Sequence, residues 1–250
     1  MSDWNASAYD RVADPQARWG AAVLDRLPLA GDERVLDAGC GTGRVTERLL
    51  ARLPRGRVVA LDQSPAMLVE ARRRLAPYGD RVEYVEADLA QPLPVEGLVD
   101  AVLSTATFHW VLDHDALFAN LARVLRPGGW LVAQCGGFGN VATLLRVAVE
   151  VAPEFSREHN FQTAEATRAR LEQTGFTDIR TWLSDEPTTF EPGEPFEAFL
   201  ETVCLRTYLH RLPEEARLPF VREVAARMPD PVLDYVRLNI VARRRPAEDA

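Results

Sequence analysis

Asp37-Ala38-Gly39-Cys40-Gly41-Thr42-Gly43-Arg44 stands between a run of apolar β-formers and a helical pattern. Glycines at 39, 41 and 43 let the chain bend tightly and remove side chains, so a ligand can approach the main chain where a strand ends and a helix begins. Read more simply, they form only a tight strand-to-helix turn. The spacing is GxGxG, and Arg44 stands where the dinucleotide fingerprint GxGxxG wants glycine or alanine, which disfavours NAD and FAD. Asp62, 23 residues after Gly39, offers a carboxylate that can accept both hydrogen bonds of a ribose diol; the competing role is a helix N-terminal aspartate stabilised by the dipole. Asp88, within Glu86-Ala87-Asp88-Leu89, brings a second carboxylate to the same edge, suited to an exocyclic amine. Further on, Ser104-Thr105-Ala106-Thr107-Phe108-His109-Trp110 carries an imidazole. His109 reads equally as a general base and as a structural residue bonded to backbone.

Composition removes other chemistries. All 29 basic residues are arginine, so a pyridoxal Schiff base, a phosphate-loop lysine and a kinase strand lysine are excluded, because each needs an amine that guanidinium cannot replace. The 37 acidic residues leave a net charge of -8, which argues against nucleic acid or an anionic membrane as partner. Cys40, Cys135 and Cys204 have neither metal-ligand nor redox spacing, so reduced thiols, no metal and a cytoplasmic setting are expected. No stretch reads as a signal peptide or a membrane span.

The elements that must position these residues follow from the patterning of a 250-residue chain that is 47% hydrophobic, enough for one large core. Short apolar runs at 34–38, 57–62, 82–87, 99–104 and 130–135 alternate with helical patterns at 44–52, 65–76 and 115–125, which is how a parallel sheet with crossover helices reads. Ser64 and Asp113 are the expected N-caps. Arg126-Pro127-Gly128-Gly129 stops one helix and opens the fifth strand. Beyond it the alternation breaks. Residues 138–160 read as helical, 163–174 as a crossover helix, 176–183 as a strand, 185–230 as a proline-bearing insertion with two helical patterns, and 234–242 as a final strand. Arg243-Arg244-Arg245 reads as a solvated strand end, and His114, His159 and His210 as surface or loop histidines.

The glycine motif at 37–43, the acid after the second strand and the acid after the third resemble those of the class I S-adenosylmethionine-dependent methyltransferases. The resemblance covers roughly residues 30–135. It implies a Rossmann-like α/β fold: a seven-stranded, mostly parallel sheet with an antiparallel last strand, helices on both faces and helical lid insertions. It places all of 1–250 in one domain, with N-terminal cap helices in 1–30, the cofactor core in 31–135, and lid or substrate insertions at 138–160 and 185–230. S-adenosylmethionine is the implied cofactor. Asp37, Gly39, Cys40, Gly41 and Gly43 would carry its methionine part, Asp62 its ribose, and Asp88 with Leu89 its adenine, with Gln63, Met67 and Ser104 completing the set.

Segment 104–114, with Trp4, Tyr9 and the 126–129 turn, is similar to the trans-aconitate 2-methyltransferase and juvenile hormone acid methyltransferase branch, which esterifies small or apolar carboxylic acids. The implied partner is a small-molecule acceptor, and the implied assembly a monomer or homodimer. Arg18 and Trp19 fall in an expected N-terminal helix over the cofactor, where Arg18 would pair with its carboxylate. Tyr9, Phe108, His109 and Trp110 would face the substrate; aromatic faces attract a sulfonium, and core packing is the competing role. Two other functions stay open: O- or C-methylation of a specialised metabolite, and cofactor binding without methyl transfer.

Overall fold

A computed structural model describes residues 14–153 and 159–247; Trp4, Tyr9 and Phe155 lie outside them. Val35, Leu36 and Ala38 in β1 (Arg34–Ala38) are fully buried, as are Val102 and Leu103 in β4 (Val99–Thr105). Apolar side chains on both faces are the mark of central parallel strands covered by helices on each side. β2 (Arg57–Asp62), β3 (Val82–Glu86) and β5 (Leu125–Gly136) complete the parallel set. The sheet order is β3-β2-β1-β4-β5-β9-β6, with β6 (Phe176–Asp185) at the edge. β9 (Val236–Arg244) is inserted between β5 and β6, antiparallel to both. The fold class is therefore the expected one. Strand order reverses between β1 and β4, which opens a crevice at their carboxyl ends.

α1 (Asp14–Leu24) precedes β1; the crossover helices are α2 (Arg44–Ala51), α3 (Pro65–Leu75), α4 (His114–Val124) and α6 (Ala164–Gln173), with α5 (Ala142–Val151) between β5 and α6. Ser64 and Asp113 cap α3 and α4 as expected, accepting from the Met67 and Ala116 amides at 3.2 and 2.9 Å. Thr163 does the same for α6. Of the insertion expected to be helical over 138–160, the described residues are helical at α5, while Gly137 forms an isolated bridge with Gln162. The second insertion contains α7 (Glu194–Phe199), a π-helical turn (Leu200–Cys204), α8 (Arg206–Leu209) and α9 (Glu214–Arg227), beside a small ribbon of β7 (Thr188–Thr189) and β8 (Val232–Leu233).

Among the described residues three apolar clusters result. Two lie on opposite faces of the sheet. The third joins the two insertions to each other and to α1: Trp19, Leu144, Phe196, Phe199, Tyr208 and Val221 are all buried in it. The arginine run at the end of β9 corrects an expectation. Arg243 donates to the Gly128 carbonyl and lies over the Trp130 ring, and Arg244 donates to the Ala122 and Gly175 carbonyls. These guanidiniums tie the turns at the bottom of the sheet, because five donors on a long stem reach carbonyls that no strand partner satisfies. Among the described residues no helix is long and apolar enough to cross a membrane, and no group of His, Cys, Asp and Glu is arranged to hold a metal.

Candidate functional site

The crevice divides into a glycine-loop side and a cavity. On the loop side the Gly39 and Cys40 amides donate to the Leu61 carbonyl, tying the loop to β2. Gly39 has φ +84°, and a Cβ there would lie 2.2 Å from Thr107 Oγ1, so this glycine is required by the approach of the segment after β4. Gly41, at φ +54°, is different: a Cβ on it would meet nothing within 4 Å. Its missing side chain opens space. Gly43 is the N-cap residue of α2, packed toward Leu75.

Asp62 ends β2, with Oδ2 accepting from the Gly41 amide and Oδ1 from the Ser64 amide, both at 2.9 Å. A carboxylate at this edge can accept hydrogen bonds of the kind a ribose diol donates. Asp37 is 1% exposed beneath the loop; Thr46 Oγ1 donates to its Oδ2 at 2.6 Å, and its Oδ1 has no hydrogen-bond partner. Burial above all, with Asp62 nearby, pushes its carboxyl up to about 7, against the pull of the Thr46 hydroxyl. A buried carboxylate oxygen without a hydrogen-bond partner, at the start of a loop whose Gly41 leaves open space, fits a ligand that brings an ammonium to the loop. The residues present thus fit S-adenosylmethionine.

The other expected cofactor residues are placed variously. Asp88 is exposed at the end of β3, its Oδ1 accepting from the Ala90 amide. Leu89 is buried, and Asn120 donates to its carbonyl. Gln63 is exposed and Met67 buried behind Ser64. Buried Cys40 has its thiol pushed up by burial and by Asp37 and Asp62. Ser104 spends its hydroxyl on the Ala38 carbonyl at 2.6 Å, cross-linking β4 to β1. Arg18 is exposed and lies 3.6 Å from Glu186. Trp19 is 4% exposed, edge-on to Tyr235 and under the Arg237 guanidinium, 4.4 Å from its ring centroid.

Beside the loop, starting at Ala106, lies a cavity of about 60 Å³. His109, Trp110, Phe161, Tyr235 and Arg237 are among its lining residues. Two of the expected substrate residues, His109 and Trp110, are therefore in its wall. Phe108 is not: it is fully buried under the sheet, packed edge-on to Phe118. Its place next to β4 points it to the core face, while its neighbours in the Phe108–Trp110 turn face the crevice. Trp182, adjoining the second insertion, carries Arg26 over its ring instead of lining the cavity.

His159 and His114 correct the expectation of surface or loop histidines. His159 lines the cavity and stacks on Phe161 at 5.0 Å, and burial lowers it to about 4. His114 is 3% exposed and its Nε2 donates to the Phe108 carbonyl at 2.9 Å; burial is the main cause of its lowered pKa. Arg237, Tyr235, Asn140 and Cys204 were not anticipated. Arg237 left a signal: in Val236-Arg237-Leu238-Asn239-Ile240 a charge alternates with apolar residues inside a strand flanked on both sides, so it must point into a covered space.

A family model described as a methyltransferase domain matches residues 35–129. Trans-aconitate 2-methyltransferase of Methylobacterium nodulans is 32% identical over 265 residues, spanning 98% of this chain and 99% of the relative. Among solved structures, Haemonchus contortus phosphoethanolamine N-methyltransferase 2 in complex with S-adenosyl-L-methionine superposes with a TM-score of 0.65 at 23% identity, covering 97% of this chain and 57% of that one. The [4+2]-cyclase SpnF superposes with a TM-score of 0.62 at 21% identity, covering 92% and 82%.

Proposed function

Because the chain belongs to the class I S-adenosylmethionine-dependent methyltransferases, with S-adenosylmethionine as its cofactor, we propose that it methylates a carboxylate oxygen of a small acid. The observation that carries this reading is Arg237, a guanidinium 3% exposed in the cavity wall and stacked over Trp19. A permanently charged guanidinium held 4.4 Å from an indole ring centroid brings to the cavity the group best suited to pairing with a carboxylate. When bound, the cofactor supplies a sulfonium methyl whose C–S bond breaks as the O–C bond forms, sulfur keeping the electron pair and no proton changing hands.

The chain's own task is then to align and to exclude water. Asp37, Gly39, Cys40, Gly41 and Gly43 would hold the amino-acid end of the cofactor, Asp62 its ribose, and Asp88 with Leu89 its base. The helical layer built by the two insertions and Trp19 covers the acceptor. The cavity walls at Trp110, Val141, Phe161 and Val203 are apolar, which favours an acid whose carboxylate sits on an apolar body.

The test is transfer of labelled methyl from S-adenosylmethionine to a panel that runs from trans-aconitate to aliphatic and aromatic monocarboxylates, with base-labile label as the readout. We expect ester formation. Arg237→Lys, which keeps charge but not the fork, should raise the acceptor KM about tenfold, the scale of a charge-assisted hydrogen bond, and leave S-adenosylhomocysteine affinity unchanged. Label that appears only in base-stable products, or in none of the acids, overturns the reading.

A further inference from the structure

His109 sits where either a base or an anchor would be useful, and its hydrogen bonding distinguishes the two. The Gly136 amide donates to His109 Nδ1 at 3.3 Å. A backbone N–H has no acceptor capacity, so Nδ1 must present a lone pair; in a neutral imidazole the single proton then resides on Nε2. A second proton would set Nδ1–H against the Gly136 N–H. Neighbouring rings flank the imidazole on several sides. His109 is stacked on His159 at a centroid distance of 6.1 Å and flanked by the tilted rings of Phe161 and Trp110 at 5.8 and 5.0 Å, and its carbonyl accepts from the Asn160 amide at 2.8 Å.

The same rung of the sheet supplies the positive charge. Gly136 is the register partner of Arg237, so the residue that fixes the imidazole lies opposite the guanidinium. A side chain at Gly136 would strike Phe161 at 2.6 Å, so the ring cluster is built around that glycine. His109 and Arg237 both line the cavity. The ring edge left to the cavity is Nε2–H, a donor beside a cation.

We propose that His109 binds the acceptor as a fixed Nε2–H donor and not as a general base, holding a carboxylate oxygen while Arg237 balances its charge. The role rests on the carboxylate reading above. It makes His109 a specificity-determining residue: the pair rewards a group that carries lone pairs and negative charge, and gives no means of removing a proton from a hydroxyl or amine acceptor. Burial first, then Arg237, His159 and His114, all lower the His109 pKa well below 6.5, which keeps the ring neutral. Tyr235 and Cys204 complete the titratable groups in the described wall, the Cys204 thiol pushed up to about 12 by burial.

Two measurements test this. Nitrogen-15 NMR of imidazole-labelled protein, with the His109 signals identified by their loss in His109→Gln, should show a neutral ring protonated at Nε2 from pH 6 to 8. A ring protonated at Nδ1, or a doubly protonated one at pH 7, overturns the assignment whatever the substrate. In steady-state kinetics on an accepted acid, His109→Ala should raise the acceptor KM tenfold or more with the cofactor KM unmoved. His109→Gln, whose amide also donates, should recover most of the loss, and wild-type kcat should show no acid limb near pH 6. His109→Gln no better than His109→Ala, with the loss in kcat, overturns the donor role. If the wild type esterifies no acid, the carboxylate reading fails, and the NMR tautomer separately decides whether His109 is a donor.

Discussion

The glycine loop and the cavity meet at Ala106 and Thr107 yet are built in opposite ways. The loop side comes from one short stretch, 37–43, plus the ends of adjacent strands, and its contacts are largely main chain. The cavity draws residues 106, 109–110, 140–141, 159, 161, 203–204, 235 and 237 together from across the chain. Both sides use left-handed backbone. At Gly39 and Gly41 the residue type makes that conformation cheap. In the cavity wall, Ala106 (φ +55°) and Val141 (φ +48°) adopt it without being glycine, at a cost of about 1–3 kcal/mol each. Tertiary bonds hold them. The Ala106 amide donates to the Gln134 carbonyl at 2.7 Å and the Val141 amide to the Asp234 carbonyl at 3.0 Å. Strain is thus removed by composition on one side and restrained by distant partners on the other.

The comparison is broken most severely at Gly39. Gly39→Ala combines a left-handed residue with a Cβ driven into Thr107, and denaturant unfolding should show a loss of about 4 kcal/mol. Gly41→Ala meets no atom and should lose only about 1–2 kcal/mol, while calorimetry shows S-adenosylhomocysteine bound at least tenfold more weakly. Equal stability losses in the two variants would contradict the assignment of one glycine to packing and the other to the cofactor.

Asp37 comes next. Its folded pKa of about 7 lies above the ordinary 3.8, so the unfolded chain gives up the proton first. Its contribution to stability is intact below pH 4 and is lost as pH rises toward 7, where ionisation costs on the order of 4 kcal/mol. Asp37→Asn, which must still bury an amide, should stabilise the ligand-free protein at pH 8 by about 2 kcal/mol and have no such effect at pH 4, in thermal unfolding at both values. Cofactor affinity should fall. A pH-independent effect would refute the buried ionisation.

On the cavity side the sign reverses. His159, neutral in the fold with a pKa of about 4 against an ordinary 6.5, contributes stability above pH 6.5 that is lost as pH falls toward 4. His159→Phe keeps the stack on Phe161 and should be more acid-resistant by about 2 kcal/mol at pH 5, read from the acid-unfolding midpoint. The smallest effect is at Asp234, whose Oδ2 accepts from the Thr143 amide and hydroxyl and so caps α5 in place of Val141. Asp234→Ala should cost about 1 kcal/mol and raise the acceptor KM without changing S-adenosylhomocysteine affinity.

The sheet and the loop were legible because they depend on short-range pattern. Apolar runs of strand length, Ser64 and Asp113 at the caps and the 126–129 turn are all local signals, and the five parallel strands fall within a residue of their expected ends, except that β5 begins earlier, at Leu125. The histidines and terminal arginines were not legible. His114 and His159 look alike in sequence to exposed polar residues; their surroundings come from the segment after β4, the Phe108 carbonyl for His114 and, about fifty residues away, the His109 and Trp110 rings for His159. Arg243 and Arg244 look like a solvated end until the carbonyls of Gly128, Ala122 and Gly175 are placed beside them.

By itself the sequence determined the α/β class, the glycine loop and the carboxylates at the strand ends, because a loop between strand and helix encodes its geometry in contiguous residues. Only the tertiary structure decided what lines the cavity. Gly136 and Arg237 become partners through an antiparallel register, and that register sets the amide bonded to His109 opposite the guanidinium, since hydrogen-bond partners and burial depend on neighbours a hundred residues away.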